Sequence, residues 1–172
     1  QEITGFNITI PHKVKAKKIL ENLFPFPNDA LVLHELYYVK LSGAVNTVKR
    51  VGGKIEYYNT DAAGFMRSLG ELEFVPKGKK VLILGCGGAG RAVIAALSWR
   101  NIEVKKIYIN DTNENSTNSA MQHFQEVPQA PYLDQILEFI PYGQIAEKIK
   151  DCQLLVNASP VGMKEGDGSA VD

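Results

Sequence analysis

Between residues 81 and 90 the chain reads Val-Leu-Ile-Leu-Gly-Cys-Gly-Gly-Ala-Gly. Four apolar residues in a row, with no polar alternation, describe a strand buried on both faces. The glycines at 85, 87 and 90 have the spacing G-x-G-x-x-G. A helix-forming run from about Ala89 to Trp99 follows, then a second apolar strand at Ile107 to Asn110, then Asp111. Strand, glycine turn, helix, strand and acid together describe a dinucleotide-binding unit, although the glycine pattern alone is weak. Each glycine has its own reason. Gly85 permits the tight turn, Gly87 lets backbone approach a pyrophosphate, and Gly90 lets the helix pack close to the strand. The phosphates then sit at a helix N-terminus, where free N–H groups and the helix dipole favour negative charge.

The rest of the chain falls on either side of Val75-Pro76-Lys77-Gly78, the expected hinge. After it, strand and helix keep alternating. A polar helix is expected at about 115 to 125, a third strand at 137 to 140, a short helix at 142 to 149 and a fourth strand at 154 to 157. Apolar strands that alternate with helices imply a parallel sheet covered on both faces. Before the hinge, Phe6, Ile8 and Ile10 alternate with polar neighbours and predict a strand over 5 to 10, ended by Pro11. A helix is expected from Lys13 to Phe24, and residues 31 to 38 suit either strand or helix. Strands at 44 to 49 and 54 to 58 across Gly52-Gly53 predict a hairpin. Thr60 or Asp61 is the expected cap of the helix that follows.

Composition removes several classes. With 45% apolar and 22% charged residues the chain is ordinary for a globular protein, not a disordered or fibrous one. Nineteen basic and nineteen acidic residues give no electrostatic case for nucleic acid or an anionic membrane as partner. No apolar run approaches the roughly 20 residues of a membrane span. The opening Gln-Glu-Ile-Thr has neither the basic nor the apolar region of a signal peptide. Cys86 and Cys152 read as reduced thiols, and the expectation is a cytoplasmic protein. His12, His34 and His123 form no ligand pattern, so no metal is expected and each reads as a surface or satisfied histidine.

Further motifs carry a more specific resemblance. Gly5-Phe6-Asn7-Ile8-Thr9-Ile10-Pro11-His12-Lys13 is similar to N-V-T-x-P-x-K of the shikimate dehydrogenases. Gly43 to Thr47 resembles the family's G-A-V-N-T, and Asn59 to Phe65 its N-T-D-x-x-G. The loop Gly85 to Arg91 resembles G-x-G-G-A-x-R, and Asn157 to Met163 resembles N-A-[ST]-P-x-G-M. The motifs occur in the family's order along nearly the whole chain. The implied fold is a partial substrate domain over 1 to 75, then a doubly wound Rossmann-type domain over 76 to 172. The family's earlier βα segment and its later strands have no counterpart here, which makes a partial chain the expectation. Residues 24 to 38 read as an insertion.

By this resemblance Lys13 and Asp61 are the catalytic pair, and Asn7, Thr9, Asn46 and Asp61 bind substrate hydroxyls. The implied cofactor residues are Gly85, Gly87, Gly88, Ala89, Gly90, Asn110, Asp111, Thr112, Asn157, Ser159 and Met163. The chemistry suits the residue types. Oxidising a secondary alcohol by hydride loss sends a proton away from the hydroxyl, and a lysine can take it or return it. Its charge also stabilises a developing alkoxide. Each residue has a structural alternative: solvated lysine for Lys13, helix cap for Asp61 and Asp111, turn residue for Asn46, plain loop for 159 to 163.

The resemblance implies reduction of 3-dehydroshikimate to shikimate with NAD(H) or NADP(H). An NAD-dependent quinate/shikimate dehydrogenase and a non-catalytic ligand-binding relative are the other readings. Many family members carry N-R-T, with arginine for a 2′-phosphate, where this chain has Asn110-Asp111-Thr112. A carboxylate there accepts from a ribose 2′-hydroxyl and repels a phosphate, so NAD(H) is the expected cofactor. The partner implied is a small molecule, and a homodimer is compatible with it.

Overall fold

Two sheets carry the chain in the computed structural model, which describes residues 3–26, 34–99, 101–127, 130 and 132–171. The first is antiparallel, with β1 (Gly5–Asn7), β2 (Thr47–Val51) and β3 (Lys54–Tyr58) in that order. Gly52 and Gly53 turn the hairpin with φ of 54° and 79°, the left-handed geometry that a two-residue hairpin turn needs. Strand β1 ends three residues before the expected point: the Ile8 N–H still bonds the Asn46 carbonyl in the register of β1 and β2, and the chain then turns where the His12 N–H bonds the Thr9 carbonyl. Strand β2 starts later than its apolar pattern implied. The Val45 N–H is held instead by the Lys13 carbonyl.

The second sheet is parallel: β4 (Lys80–Leu84), β5 (Lys106–Asn110), β6 (Leu137–Phe139) and β7 (Leu154–Asn157), in the order β6-β5-β4-β7. The chain steps outward from β4 to β6, then returns to the far side of β4. Such a reversal opens a crevice at the carboxyl ends of the strands, where ligands of open α/β sheets bind. Val81, Leu82, Ile83, Ile107 and Ile109 are completely buried. Strand β7 departs from the expectation of cover on both faces. As an edge strand it alternates, and Leu155 is exposed.

Between β4 and β5, α4 (Gly88–Leu97) is apolar on nearly every side, Arg91 excepted, and all but its first two residues are buried. A helix of that kind needs cover on every side. One flank lies on the parallel sheet. The other meets α2 (His34–Ser42) and α3 (Thr60–Glu71), so that Leu41, Ala62 and Leu69 join Ala92 to Leu97 in one core. The ambiguous stretch 31 to 38 is helical from His34 onward. Residues 27–33 of the expected insertion lie outside the described residues. Helix α1 (Lys13–Leu23) buries no residue: its Ile19 and Leu23 are exposed, as are Phe6 and Ile10 before it in the chain.

Neither expected cap of α3 is the cap. Asn59 holds that position and accepts from the Ala62 N–H, while Asp61 sits in the first turn. Asn59 is buried because its amide also donates to the Ser42 Oγ and the Ala44 carbonyl. It therefore ties the start of α3 to the loop after α2. Likewise α5 (Glu114–Glu126) is capped by Asn113, not Asp111. Helix α6 (Leu133–Ile136) leads into β6. The short helix expected at 142 to 149 is split, with α7 (Ile145–Lys148) between two tighter turns.

His123, on α5, joins the two halves. Its imidazole packs against the α-carbon of Gly43, where an added Cβ would lie 2.7 Å from the ring. Its Nε2 lies 3.0 Å from the Leu41 carbonyl, which requires the neutral ring to carry its proton on Nε2. Burial first, then the nearby Arg91 and Lys17, lower its pKa from 6.5 to about 4, against the Leu41 bond and Glu126. The folded state disfavours the imidazolium, so this stability is present above pH 6.5 and is lost as pH falls toward 4. The loss is on the order of 2–3 kcal/mol. Thermal unfolding of the unmutated protein and His123→Gln, from pH 7.5 to 4.5, checks this. The unmutated protein should lose its advantage across that range, and parallel curves would contradict the assignment.

Candidate active site

The start of α1, the loop before β2 and the first turn of α3 converge on one polar cluster. Lys13 Nζ lies 2.6 Å from Asp61 Oδ2, with the lysine side chain 13% exposed and the carboxylate 33%. Asn46 donates from Nδ2 to Asp61 Oδ1 at 2.8 Å and to Thr60 Oγ1 at 2.9 Å. Its Oδ1 accepts from the Thr60 N–H at 2.9 Å and the Thr47 hydroxyl at 3.1 Å. Thr47 Oγ1 also lies 3.4 Å from Asn7 Oδ1, within reach of the same proton. Lys13, Asp61, Asn46 and Asn7 are thus brought together. Thr9 is exposed, and its carbonyl accepts from the His12 N–H. Sequence reasoning missed Thr47 and Thr60, although both stand inside the motifs that contain Asn46 and Asp61.

Lys13 also reaches the glycine loop. A Cβ built on Gly88 would lie 2.7 Å from Lys13 Cβ and 3.0 Å from its Cδ. The lysine stem therefore lies on the first turn of α4. A cavity of about 720 Å³ opens there, running from Ile10, Pro11 and Lys13 over the glycine loop to Asp111 and Ser119. Among the described residues no helix is long and apolar enough to cross a membrane, and no group of His, Cys, Asp and Glu could hold a metal.

The glycines of the loop differ in what surrounds them. Gly85 has φ +96°, and an added Cβ would strike the Ala158–Ser159 backbone after β7. Gly90 lies under the Gly85 carbonyl, which an added Cβ would meet at 2.0 Å. Around Gly87 there is nothing within 4 Å, so the backbone faces open cavity. The first-turn N–H groups of α4 lack intrahelical partners and point that way. These features fit a pyrophosphate.

Asp111 sits at the end of β5 with both oxygens engaged. Oδ2 accepts from the Cys86 N–H at 2.7 Å, and Oδ1 from the Asn113 N–H at 2.8 Å. It clamps the glycine loop to the turn that begins α5. Carboxylate oxygens have further lone pairs, so a ribose hydroxyl can still be accepted. Thr112, Gly85, Gly87, Gly88, Ala89 and Ser159 line the cavity with it. Asn110 also lines it, but its amide is buried and donates to the Ile140 carbonyl at 2.9 Å. Asn157 orders its own loop through Ser159 and Val161, and Met163 is exposed away from the cavity.

Arg91 and Lys105 are the basic residues that bear on whether a 2′-phosphate could be held at the end of β5. Arg91 is buried, donating to the Cys86 carbonyl and, at 2.9 Å, to Ser119 Oγ. Lys105 precedes β5, so the whole five-residue strand, roughly 20 Å from end to end of the six steps, separates it from Asp111. Cys86 is wholly buried. Burial and the adjacent Asp111 push its thiol up to about 12, which makes it inert.

Comparison with known proteins is consistent across sequence and structure. No family model matches the chain. Shikimate dehydrogenase (NADP(+)) of Geobacter metallireducens is 37% identical over 164 residues, covering 95% of this chain and 52% of that protein. The crystal structure of shikimate dehydrogenase from Aquifex aeolicus superposes with TM-score 0.72 at 32% identity, covering 99% of this chain and 53% of the other. Quinate dehydrogenase from Corynebacterium glutamicum in complex with NAD gives TM-score 0.73 at 26% identity, over 99% and 54%. The chain spans about half the length of the relatives it matches. Over that half, in sequence and in fold, the chain is similar to the shikimate dehydrogenases.

Proposed function

We propose that the chain forms the catalytic core of an oxidoreductase that interconverts 3-dehydroshikimate and shikimate with a nicotinamide cofactor. The observation that carries this is Lys13, paired with Asp61 on one side and packed against the dinucleotide loop on the other. Residues 1 to 75 would hold the substrate and 76 to 172 the cofactor. We take the protein to act in the cytoplasm on a small molecule, without a nucleic-acid or membrane partner.

The bound nicotinamide would supply or accept the hydride. Lys13 Nζ would hold the proton at the substrate oxygen, giving it in reduction and taking it in oxidation. Asp61 fixes the ammonium, and Asn46 fixes Asp61 in turn. Asn7 and Thr47 offer further polar contacts to a ring bearing several hydroxyls. A substrate lacking one of them would leave a partner unpaired, which is how such a site discriminates. A non-catalytic ligand-binding role would not require the Lys13–Asp61 pair.

For the cofactor we infer a preference for NAD. The Geobacter relative is named for NADP(+) and the Corynebacterium neighbour was solved with NAD, so relatives differ. Here the acid at the end of β5 faces a cavity wall of Thr112, Asn113, Asn115, Ser116 and Ser119. Among the described residues that line the cavity the cations are Lys13 and the engaged Arg91. A 2′-phosphate would meet repulsion without compensation, so kcat/KM should favour NAD by at least about tenfold. Asp111→Arg should weaken both cofactors, since it also releases the Cys86 N–H. Initial rates of the intact enzyme with shikimate and each dinucleotide test both points. Absence of shikimate-dependent reduction would contradict the activity, and a clear NADP preference the cofactor assignment. Quinate in place of shikimate separates the second reading, an oxidative quinate/shikimate dehydrogenase, which Asp111 also favours.

A further inference from the structure

The cavity has a direction. Lys13 and the loop after β7 stand at one end, above the β4–β7 side of the sheet, so the reacting ring of a dinucleotide belongs there. The pyrophosphate crosses at Gly87 and Gly88. The adenosine half must then lie over β5 and β6, the outer strands of the first mononucleotide-binding unit. At that end one wall is the Asp111–Thr112 turn. The segment after β6 contributes Tyr142, which lines the same cavity and is 60% exposed.

The backbone around Tyr142 is held firmly although its ring is not covered. Pro141 fixes the approach, the Gln144 N–H bonds back to the Pro141 carbonyl, and the Ile145 N–H to that of Tyr142. Ile145 beneath is buried against Leu82, Leu84 and Tyr108. The Asn110 amide joins the ends of β5 and β6 through the Ile140 carbonyl, and so sets the spacing between Asp111 and Tyr142. An aromatic face held at the adenosine end of a cavity is a surface for a base, since stacking needs only a π-face and excludes water.

We propose that Tyr142 is the stacking wall for the adenine of the dinucleotide. This rests on the dinucleotide reading of the glycine loop. Trimmed ligands separate the two ideas. Equilibrium binding of NAD, ADP-ribose and nicotinamide mononucleotide is measured on the unmutated protein, Tyr142→Ala and Tyr142→Phe. The alanine variant should weaken NAD and ADP-ribose by about tenfold and leave nicotinamide mononucleotide unchanged, with the same melting temperature. The phenylalanine variant should bind like the parent. Unchanged NAD and ADP-ribose binding in Tyr142→Ala would overturn the proposal, as would equal weakening of all three ligands. Failure of the unmutated protein to bind any of them would overturn the dinucleotide reading, and the proposal with it.

Discussion

Lys13→Ala should lower kcat of the intact enzyme by roughly 10²–10⁴, the usual worth of a positioned acid or base. Substrate affinity should change much less, because Asn46, Asn7 and the neighbouring threonines still present their polar groups. Lys13→Arg is the sharper variant. It keeps the positive charge beside Asp61 but holds its proton at any working pH. If the lysine serves as proton carrier, arginine should recover less than about tenfold of the lost rate. If only the charge matters, arginine should recover most of it. Asp61→Asn should also impair turnover, by removing the charge that holds Lys13 at 2.6 Å. Steady-state kinetics of the three variants distinguish these roles, and an unchanged kcat in Lys13→Ala would remove Lys13 from the mechanism.

The second large effect separates two glycines of one motif. In Gly90→Ala the new Cβ would lie 2.0 Å from the Gly85 carbonyl oxygen and 2.8 Å from its carbon. Both are backbone atoms of a turn held on its other side by the Ala158–Ser159 backbone. The strand and helix must move apart, at a cost of about 3 kcal/mol or more. For a chain of this size the melting temperature should fall by roughly 6–12 °C. Gly87→Ala should behave in the opposite way. Gly87 has φ −67°, which any residue adopts, and open space around it. Alanine there should leave the melting temperature within about 1–2 °C. It should nevertheless weaken dinucleotide binding, because the methyl group occupies the space of the pyrophosphate. Thermal melts and binding isotherms on both variants check the contrast. A Gly90→Ala protein as stable as its parent would contradict the packing described here.

The close backbone approach at Gly85 and Gly90 was legible in the sequence because it rests on backbone chemistry that leaves a local signature. The parallel strands were legible for the same reason, since Val81 to Leu84 and Ile107 to Ile109 are apolar without alternation. What escaped was set by long-range pairing. Asn59 takes the cap of α3 because Ser42 and Ala44, far away in sequence, hold its amide. Asp111 follows β5 as its position implied. Nothing local, however, reveals that its carboxylate would reach back 25 residues to Cys86. His123 carried no motif at all, and its role depends on the left-handed Gly43 of the other half. The Lys13–Asp61 pair was legible only through family resemblance, since 48 residues separate its members.

The central claim is that this site moves a hydride from a carbinol carbon while Lys13 takes the hydroxyl proton. Shikimate carrying deuterium on the carbon whose hydroxyl is oxidised tests it in one measurement. The intact enzyme, given this substrate and NAD, should yield reduced dinucleotide with the deuterium at C4 of the nicotinamide ring, seen by NMR. Lys13→Ala should yield little or none in the same time. Shikimate left unchanged by the unmutated enzyme, or consumed without deuterium reaching the nicotinamide, would contradict the account.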